Sequence, residues 1–123
     1  MTAAEAGARR VLLVEDEPLI AMTAEDLLGD LGLVVVGPAL SVEEALALLQ
    51  DETRIDIGFL DINLRGQLVF PVADILRARG VPILYASGYG GTRARDADRD
   101  CIVLQKPYLA QDLAQAISRT IRL

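Results

Sequence analysis

Five strand-like segments alternate with helix-like ones along the 123-residue chain, which predicts an α/β fold: a parallel sheet with helices on both faces. The strand candidates are continuous apolar runs, the pattern of strands covered on both sides. Several of them end on acids or hydroxyls, at the strand ends where open α/β sheets place their ligands. The length fits one domain, residues 1–123, with no repeat, linker or second domain in view.

Residues 1–8 read as a small, polar, frayed lead-in. Val11 to Val14 is the first strand and ends on Glu15-Asp16. Pro18 suits a first helical position. Ile20, Ala24, Leu27, Leu28 and Leu31 share one face, predicting a helix from Pro18 to Leu31 that Gly32 stops. Leu33 to Val36 is the second strand, closed by Gly37-Pro38. Ser41 and Glu44 have capping-box spacing and open a second helix reaching about Gln50, with Ala45, Leu46, Leu48 and Leu49 on its apolar side.

Ile57 to Asp61 is the third strand, followed by a loop from Ile62 to Gln67. The third helix is expected from about Leu68 to Arg79, with Val69, Val72, Ala73 and Leu76 inward and Pro71 in its first turn. Val81 to Ala86 is the fourth strand and ends on Ser87. Thr92 to Asp100 is charge and alanine without an apolar stripe, so a helix there is expected to be short or mobile. Arg93, Arg95 and Arg99 read as a solvated face. Cys101 to Leu104 is the fifth strand. Lys106-Pro107-Tyr108 then leads into a last helix with Leu109, Leu113, Ala116, Ile117 and Thr120 on one face.

Composition excludes several functions. The net charge of −6 opposes a general nucleic-acid surface, which needs a basic stripe. No apolar run approaches the roughly 18 residues of a membrane span, and the first ten residues lack a signal peptide's apolar centre, so the cytosol is the expected compartment. The single cysteine, Cys101, cannot form an internal disulfide and reads as a buried, inert thiol. With no histidine in the chain, a Ser-His-Asp triad, a histidine-ligated zinc site and a phosphohistidine carrier are all ruled out.

Chemistry must therefore rest on carboxylates, hydroxyls and Lys106. Three carboxylates within a few ångströms repel one another, and one binds a proton unless a cation joins them. Oxygen-only ligands suit Mg²⁺. Phosphoryl transfer needs positioning and charge stabilisation above all, and an Asp carboxylate is a competent nucleophile for it. Ser87 and Lys106 can then hold phosphate oxygens.

With Glu15-Asp16, Asp61, Ser87 and Lys106-Pro107 each following a successive strand in this order, the chain resembles a two-component response-regulator receiver domain over essentially its whole length. The resemblance implies the flavodoxin-like strand order 2-1-3-4-5. It implies Asp61 as phosphoacceptor, Asp16 as a direct Mg²⁺ ligand and Glu15 as a direct or water-mediated one. Asn63 would offer its backbone carbonyl to the metal, while Ser87 and Lys106 would contact the phosphoryl group. Tyr85-Ala86-Ser87-Gly88-Tyr89-Gly90 and Lys106-Pro107-Tyr108 are similar to the Phe-Ala-Thr-Gly and Lys-Pro-Phe stretches of an atypical, often single-domain receiver group. That group implies a partner histidine kinase of the HWE or a related type.

The chain departs from the common receiver pattern in two places. The switch aromatic three residues before the lysine is replaced by Val103, and the usual Met-Pro after the phosphoacceptor by Leu64-Arg65, which places Arg65 to reach the site or a partner. Tyr85 and Tyr108 read as packing residues. The expected function is a phosphorylatable switch that catalyses only its own phosphorylation and dephosphorylation. One alternative is a constitutive interaction module on the same fold. Another is a small Mg²⁺-dependent phosphatase, which would turn over an external ester.

Overall fold

The computed structural model describes residues 7–51, 54–88 and 95–121. The expected lead-in up to residue 6, together with Tyr89, Gly90, Gly91 and Arg93, lies outside the described residues. The main sheet is built from β1 (Arg10–Val14), β2 (Val34–Ala39), β3 (Ile57–Asp61), β6 (Ile83–Ser87) and β7 (Ile102–Gln105). Between β3 and β6 stand two short strands, β4 (Asn63–Leu64) and β5 (Gln67–Leu68). The helices are α1 (Pro18–Asp30), α2 (Val42–Gln50), α3 (Phe70–Ala78) and α4 (Ala110–Thr120).

The main-sheet order is β2-β1-β3-β6-β7, every pairing parallel. Counting main-sheet strands alone, this is the 2-1-3-4-5 order of the sequence reading. Period-two alternation along each strand divides the core in two. Leu12, Val14, Leu60 and Tyr85 pack with α2 and α3 through Ala45, Leu49, Val72 and Leu76. Val11, Leu13, Phe59 and Leu84 face the other way and pack with α1 and α4 through Ala24, Leu28, Leu113 and Ile117.

Local chemistry sets most of the boundaries. Gly32, at φ +84°, ends α1, and the Leu33 N–H donates back to the Leu28 carbonyl at 3.1 Å. Ser41 Oγ accepts from the Glu44 N–H at 3.1 Å, while the Glu44 carboxylate accepts from the N–H of Leu40 rather than that of Ser41.

The structure corrects the sequence reading at several points. β2 does not close at Gly37-Pro38. It runs on to Ala39 through a register shift against β1, with Gly37 at φ +103° absorbing the irregularity. The expected loop from Ile62 to Gln67 holds the antiparallel β4–β5 hairpin, which delays α3 to Phe70. Leu109 is the exposed N-cap of α4, not part of its inner face. Cys101 is half-buried and stands just before β7. Burial raises its thiol pKa, so the protonated form dominates.

The described part of the polar segment contains one 3₁₀ turn, Asp96–Asp98. Arg99 is exposed as expected, but Arg95 is not a solvated residue. Its guanidinium lies 4.4 Å from the centre of the Phe70 ring and pairs with Asp74 at 2.8 Å and with Asp98 at 2.9 Å. Asp98 is fully buried and also pairs with Arg77 at 3.1 Å. This polar cluster fastens the turn to α3. The Phe70 ring meets Tyr85 edge-on at 6.2 Å. Among the described residues the buried Tyr85 hydroxyl has no hydrogen-bond partner of normal geometry. Burial, and then the nearby Asp98 carboxylate, keep the phenol protonated.

Candidate functional site

Strand parity assembles the site. Leu13, Phe59, Ala86 and Leu104 all face the α1/α4 side of the sheet. Two residues beyond Leu13, Phe59 and Leu104 come Glu15, Asp61 and Lys106, which therefore point to that same side. Register then sets their spacing. Val14 pairs with Leu60 and Asp61 with Ala86, so Glu15 and Asp61 end adjacent strands at the same level.

The side chains meet as the parity requires. Lys106 Nζ donates to Glu15 Oε1 at 2.7 Å and to Asp61 Oδ2 at 2.8 Å. Glu15 is only 3% exposed and Asp61 only 5%. The other Glu15 oxygen accepts from the Glu17 N–H at 3.1 Å, and Asp61 Oδ1 accepts from the Asn63 N–H at 3.3 Å. The half-buried Asp16 completes the group: Glu15, Asp16 and Asp61 each offer an oxygen within 4.8 Å of the others. The Phe59 and Tyr108 rings, 5.8 Å apart, lie beside the carboxylates, and both line the small pocket that contains Glu15 and Asp61.

The electrostatics follow from burial in an acid-rich pocket. Burial pushes Glu15 up to about 7, even though Lys106 and the Glu17 amide pull it down; the Asp61 charge adds to the rise. For Lys106, burial disfavours the charge, but the carboxylates of Asp61 and Glu15 outweigh it and raise the ammonium pKa. Tyr108 is pushed up to about 12 by burial and then by the Glu15 charge, so its phenol stays protonated.

Each expected site residue can now be placed. Glu15, Asp16, Asp61 and Lys106 come together. Ser87 ends β6 one residue beyond Ala86, the register partner of Asp61, and its carbonyl accepts from the Lys106 N–H at 2.8 Å. Asn63 is exposed, and its side-chain oxygen accepts from the Gly66 N–H at 2.6 Å, which closes the hairpin turn. Arg65, at the tip of that turn, lies 3.7 Å from Asp16. The role of Tyr108 in lining the site was not read from the sequence, although its parity with Leu104 and Lys106 would have signalled it. Val103 points out from the edge strand β7 and is 42% exposed.

The donor set fits a hard divalent cation. It consists of oxygens only and carries more negative than positive charge in its buried part, where one carboxyl retains a proton to near neutrality. A groove of about 260 Å³ lined by Leu19, Ile20, Thr23, Lys106, Pro107 and Tyr108 opens beside it.

Comparison with known proteins agrees with this geometry. A family model described as "Response regulator receiver domain" matches residues 11–118. The chain is 30% identical to the phyllosphere-induced regulator PhyR of Methylorubrum extorquens, over 93% of this chain and 44% of PhyR. It spans about half the length of the curated relatives it matches. Among solved structures, SdrG from Sphingomonas melonis Fr1 is 41% identical with a TM-score of 0.80, covering 95% of this chain and 97% of SdrG. The BeF3-activated conformation of SdrG, from Pseudomonas melonis Fr1, is 42% identical with a TM-score of 0.73, covering 91% and 96%. Among the described residues no helix is long and apolar enough to cross a membrane.

Proposed function

This chain belongs to the response regulator receiver domain family of two-component signalling, and from that membership we propose that it is a phosphorylatable switch, with Asp61 as phosphoacceptor. One observation carries the reading: Glu15, Asp61 and Lys106 converge from the ends of three parallel strands, in hydrogen-bond contact, with Asp16 alongside.

The donor is a histidine kinase, of the HWE or a related type. An Asp61 oxygen attacks the phosphorus of the kinase's phosphohistidine. A P–O bond forms, the P–N bond breaks, and the imidazole leaves with the electron pair. Lys106 already holds one Asp61 oxygen and is positioned to follow the charge onto the phosphoryl group, with Ser87 as a second contact. Glu15, Asp16, Asp61 and the Asn63 backbone carbonyl would hold Mg²⁺, which supplies charge neutralisation for the incoming phosphoryl group. Attack by water on the acyl phosphate returns the carboxylate and releases inorganic phosphate, so the chain acts only on its own phosphorylation state.

The apolar groove beside Lys106 is the seat for the donor, because a phosphohistidine must approach Asp61 from outside the sheet. Leu19 of this groove stands exposed, as do Met22 on α1 and Leu109 at the N-cap of α4. Output passes through protein contacts in the cytosol; the net charge of −6 argues against direct nucleic-acid binding.

The test is the intact mass after incubation with Mg²⁺ and a small acyl-phosphate donor. The wild-type protein is expected to gain one phosphoryl group, and Asp61→Asn none. Val103 at the usual switch-aromatic position favours a second reading, a constitutive interaction module. A wild-type protein that gains no mass even when candidate kinases are supplied would count against the switch and favour that second reading.

A further inference from the structure

We infer that Arg65 is the resident counter-ion of Asp16 and thereby sets how tightly the acid pocket takes a divalent cation. The inference rests on the metal reading above and adds to it a residue outside the set Glu15, Asp16, Asp61, Asn63, Ser87 and Lys106.

The hairpin presents Arg65 from a fixed point. Arg65 and Gly66 form its two-residue turn, at φ +55° and +90°, between the pairs Asn63–Leu68 and Leu64–Gln67. Both central residues are left-handed, as in the turns that suit tight hairpins. Among the described residues Arg65 is the one non-glycine with positive φ. The Asn63 side chain closes the turn through the Gly66 N–H at 2.6 Å. Below it, the Val69 N–H donates to the Ile62 carbonyl at 2.9 Å, and Ile62, Leu64 and Val69 are buried. The base of the hairpin is therefore anchored in the core immediately after Asp61, with the tip exposed above it.

From that tip the guanidinium reaches one residue twice. Nε lies 3.7 Å from Asp16 Oδ2, and Nη2 lies 3.5 Å from the Asp16 carbonyl oxygen. The charges in the pocket are thus divided. Lys106 serves Glu15 and Asp61, and Arg65 serves Asp16. A divalent cation held by all three acids needs the Asp16 carboxylate, so it and Arg65 draw on the same group. Two like charges on one carboxylate repel each other, which makes Arg65 a competitor for the site rather than a ligand to it. The Arg65 side chain is 76% exposed, so its release into water is easy and the competition is modest.

The experiment is calorimetric titration of Mg²⁺ into the unphosphorylated full chain at low ionic strength. It compares wild type, Arg65→Gln and Arg119→Gln. The third protein loses a positive charge from the exposed Arg119 on α4 and so controls for net charge alone. Arg65→Gln is expected to bind Mg²⁺ about two- to fivefold tighter than wild type, as removal of an exposed ion pair permits. The gain is expected to shrink as salt is raised, and Arg119→Gln is expected to match wild type. Equal affinity in wild type and Arg65→Gln overturns the inference, as does an equal gain in Arg119→Gln. Absence of Mg²⁺ binding in all three proteins overturns the metal reading itself and this inference with it.

Discussion

Two clusters of partly buried charge among the described residues are built on opposite principles. At the carboxyl end of the sheet, three carboxylates face the half-buried ammonium of Lys106 and the exposed guanidinium of Arg65. On the other face, Asp74 and Asp98 meet Arg77 and Arg95, acid for base. The second cluster is balanced, and its geometry ties a polar turn to α3. The first has a surplus of negative charge in its interior; burial raises the pKa of Glu15, and the Asp61 charge adds to the rise. A fold gains nothing from a buried excess of like charge, and such an excess is the pattern expected of a functional site, in line with the metal reading proposed above. Balanced burial of the same residue types marks structure.

The sharpest way to break this contrast is to remove one acid from each cluster. Asp98→Ala leaves Arg77 and Arg95 without their buried partner and should lower stability by about 3 kcal/mol in urea unfolding. Asp61→Asn in the metal-free protein relieves repulsion while Lys106 keeps Glu15, and stability should stay within about 1 kcal/mol of wild type or rise. Equal losses in the two variants would erase the distinction.

The surplus should also be visible as a pH dependence. Glu15 titrates near 7 in the folded chain, against 4.5 ordinarily. Between those values the native state holds a proton that the unfolded chain has released. Its contribution is therefore complete below pH 4.5 and is lost as pH rises through 7, on the order of 3 kcal/mol in the metal-free protein. Glu15→Gln should flatten that slope in unfolding curves taken from pH 5 to pH 8. Added Mg²⁺ should stabilise wild type most above pH 7, where the carboxylate is free to bind it.

Lys106→Met tests the same imbalance from the other side. It removes the ammonium shared by two buried acids, so the loss should be about 2 kcal/mol at pH 8. The loss should be smaller at pH 5, where Glu15 takes up a proton instead. The smallest effect is expected beside the balanced cluster. Tyr85→Phe removes a buried hydroxyl that lacks a hydrogen-bond partner of normal geometry among the described residues, and the unfolding free energy should move by less than about 1 kcal/mol.

The sequence by itself determined the layered α/β class, the order of the main elements and the core of the site. Continuous apolar runs write buried strands directly. Because side chains alternate along a strand, the residue two beyond an inward Leu13, Phe59 or Leu104 must emerge on the same side at the strand's end. Glu15-Asp16, Asp61, Ser87 and Lys106 were legible in the sequence as polar groups just past successive strand ends; the alternation shows why Glu15, Asp61 and Lys106 then meet on one side.

Only the tertiary structure decided the rest. Strands of two residues, such as Asn63–Leu64 and Gln67–Leu68, are too short to show a period, so the hairpin was invisible although Arg65-Gly66 carries a turn signal. Gly37-Pro38 looked like a stop, yet pairing with β1 carries β2 past it to Ala39. Leu109 fits the helical stripe of α4 but falls at its exposed first turn. Asp98 and Arg95 lie in a stretch with no apolar pattern. They are drawn inward by Arg77, Asp74 and the Phe70 ring, all on α3. Hydrophobic burial is written locally, one residue at a time. Charge pairing depends on which distant residues the fold brings within a few ångströms, and the chain alone does not state that.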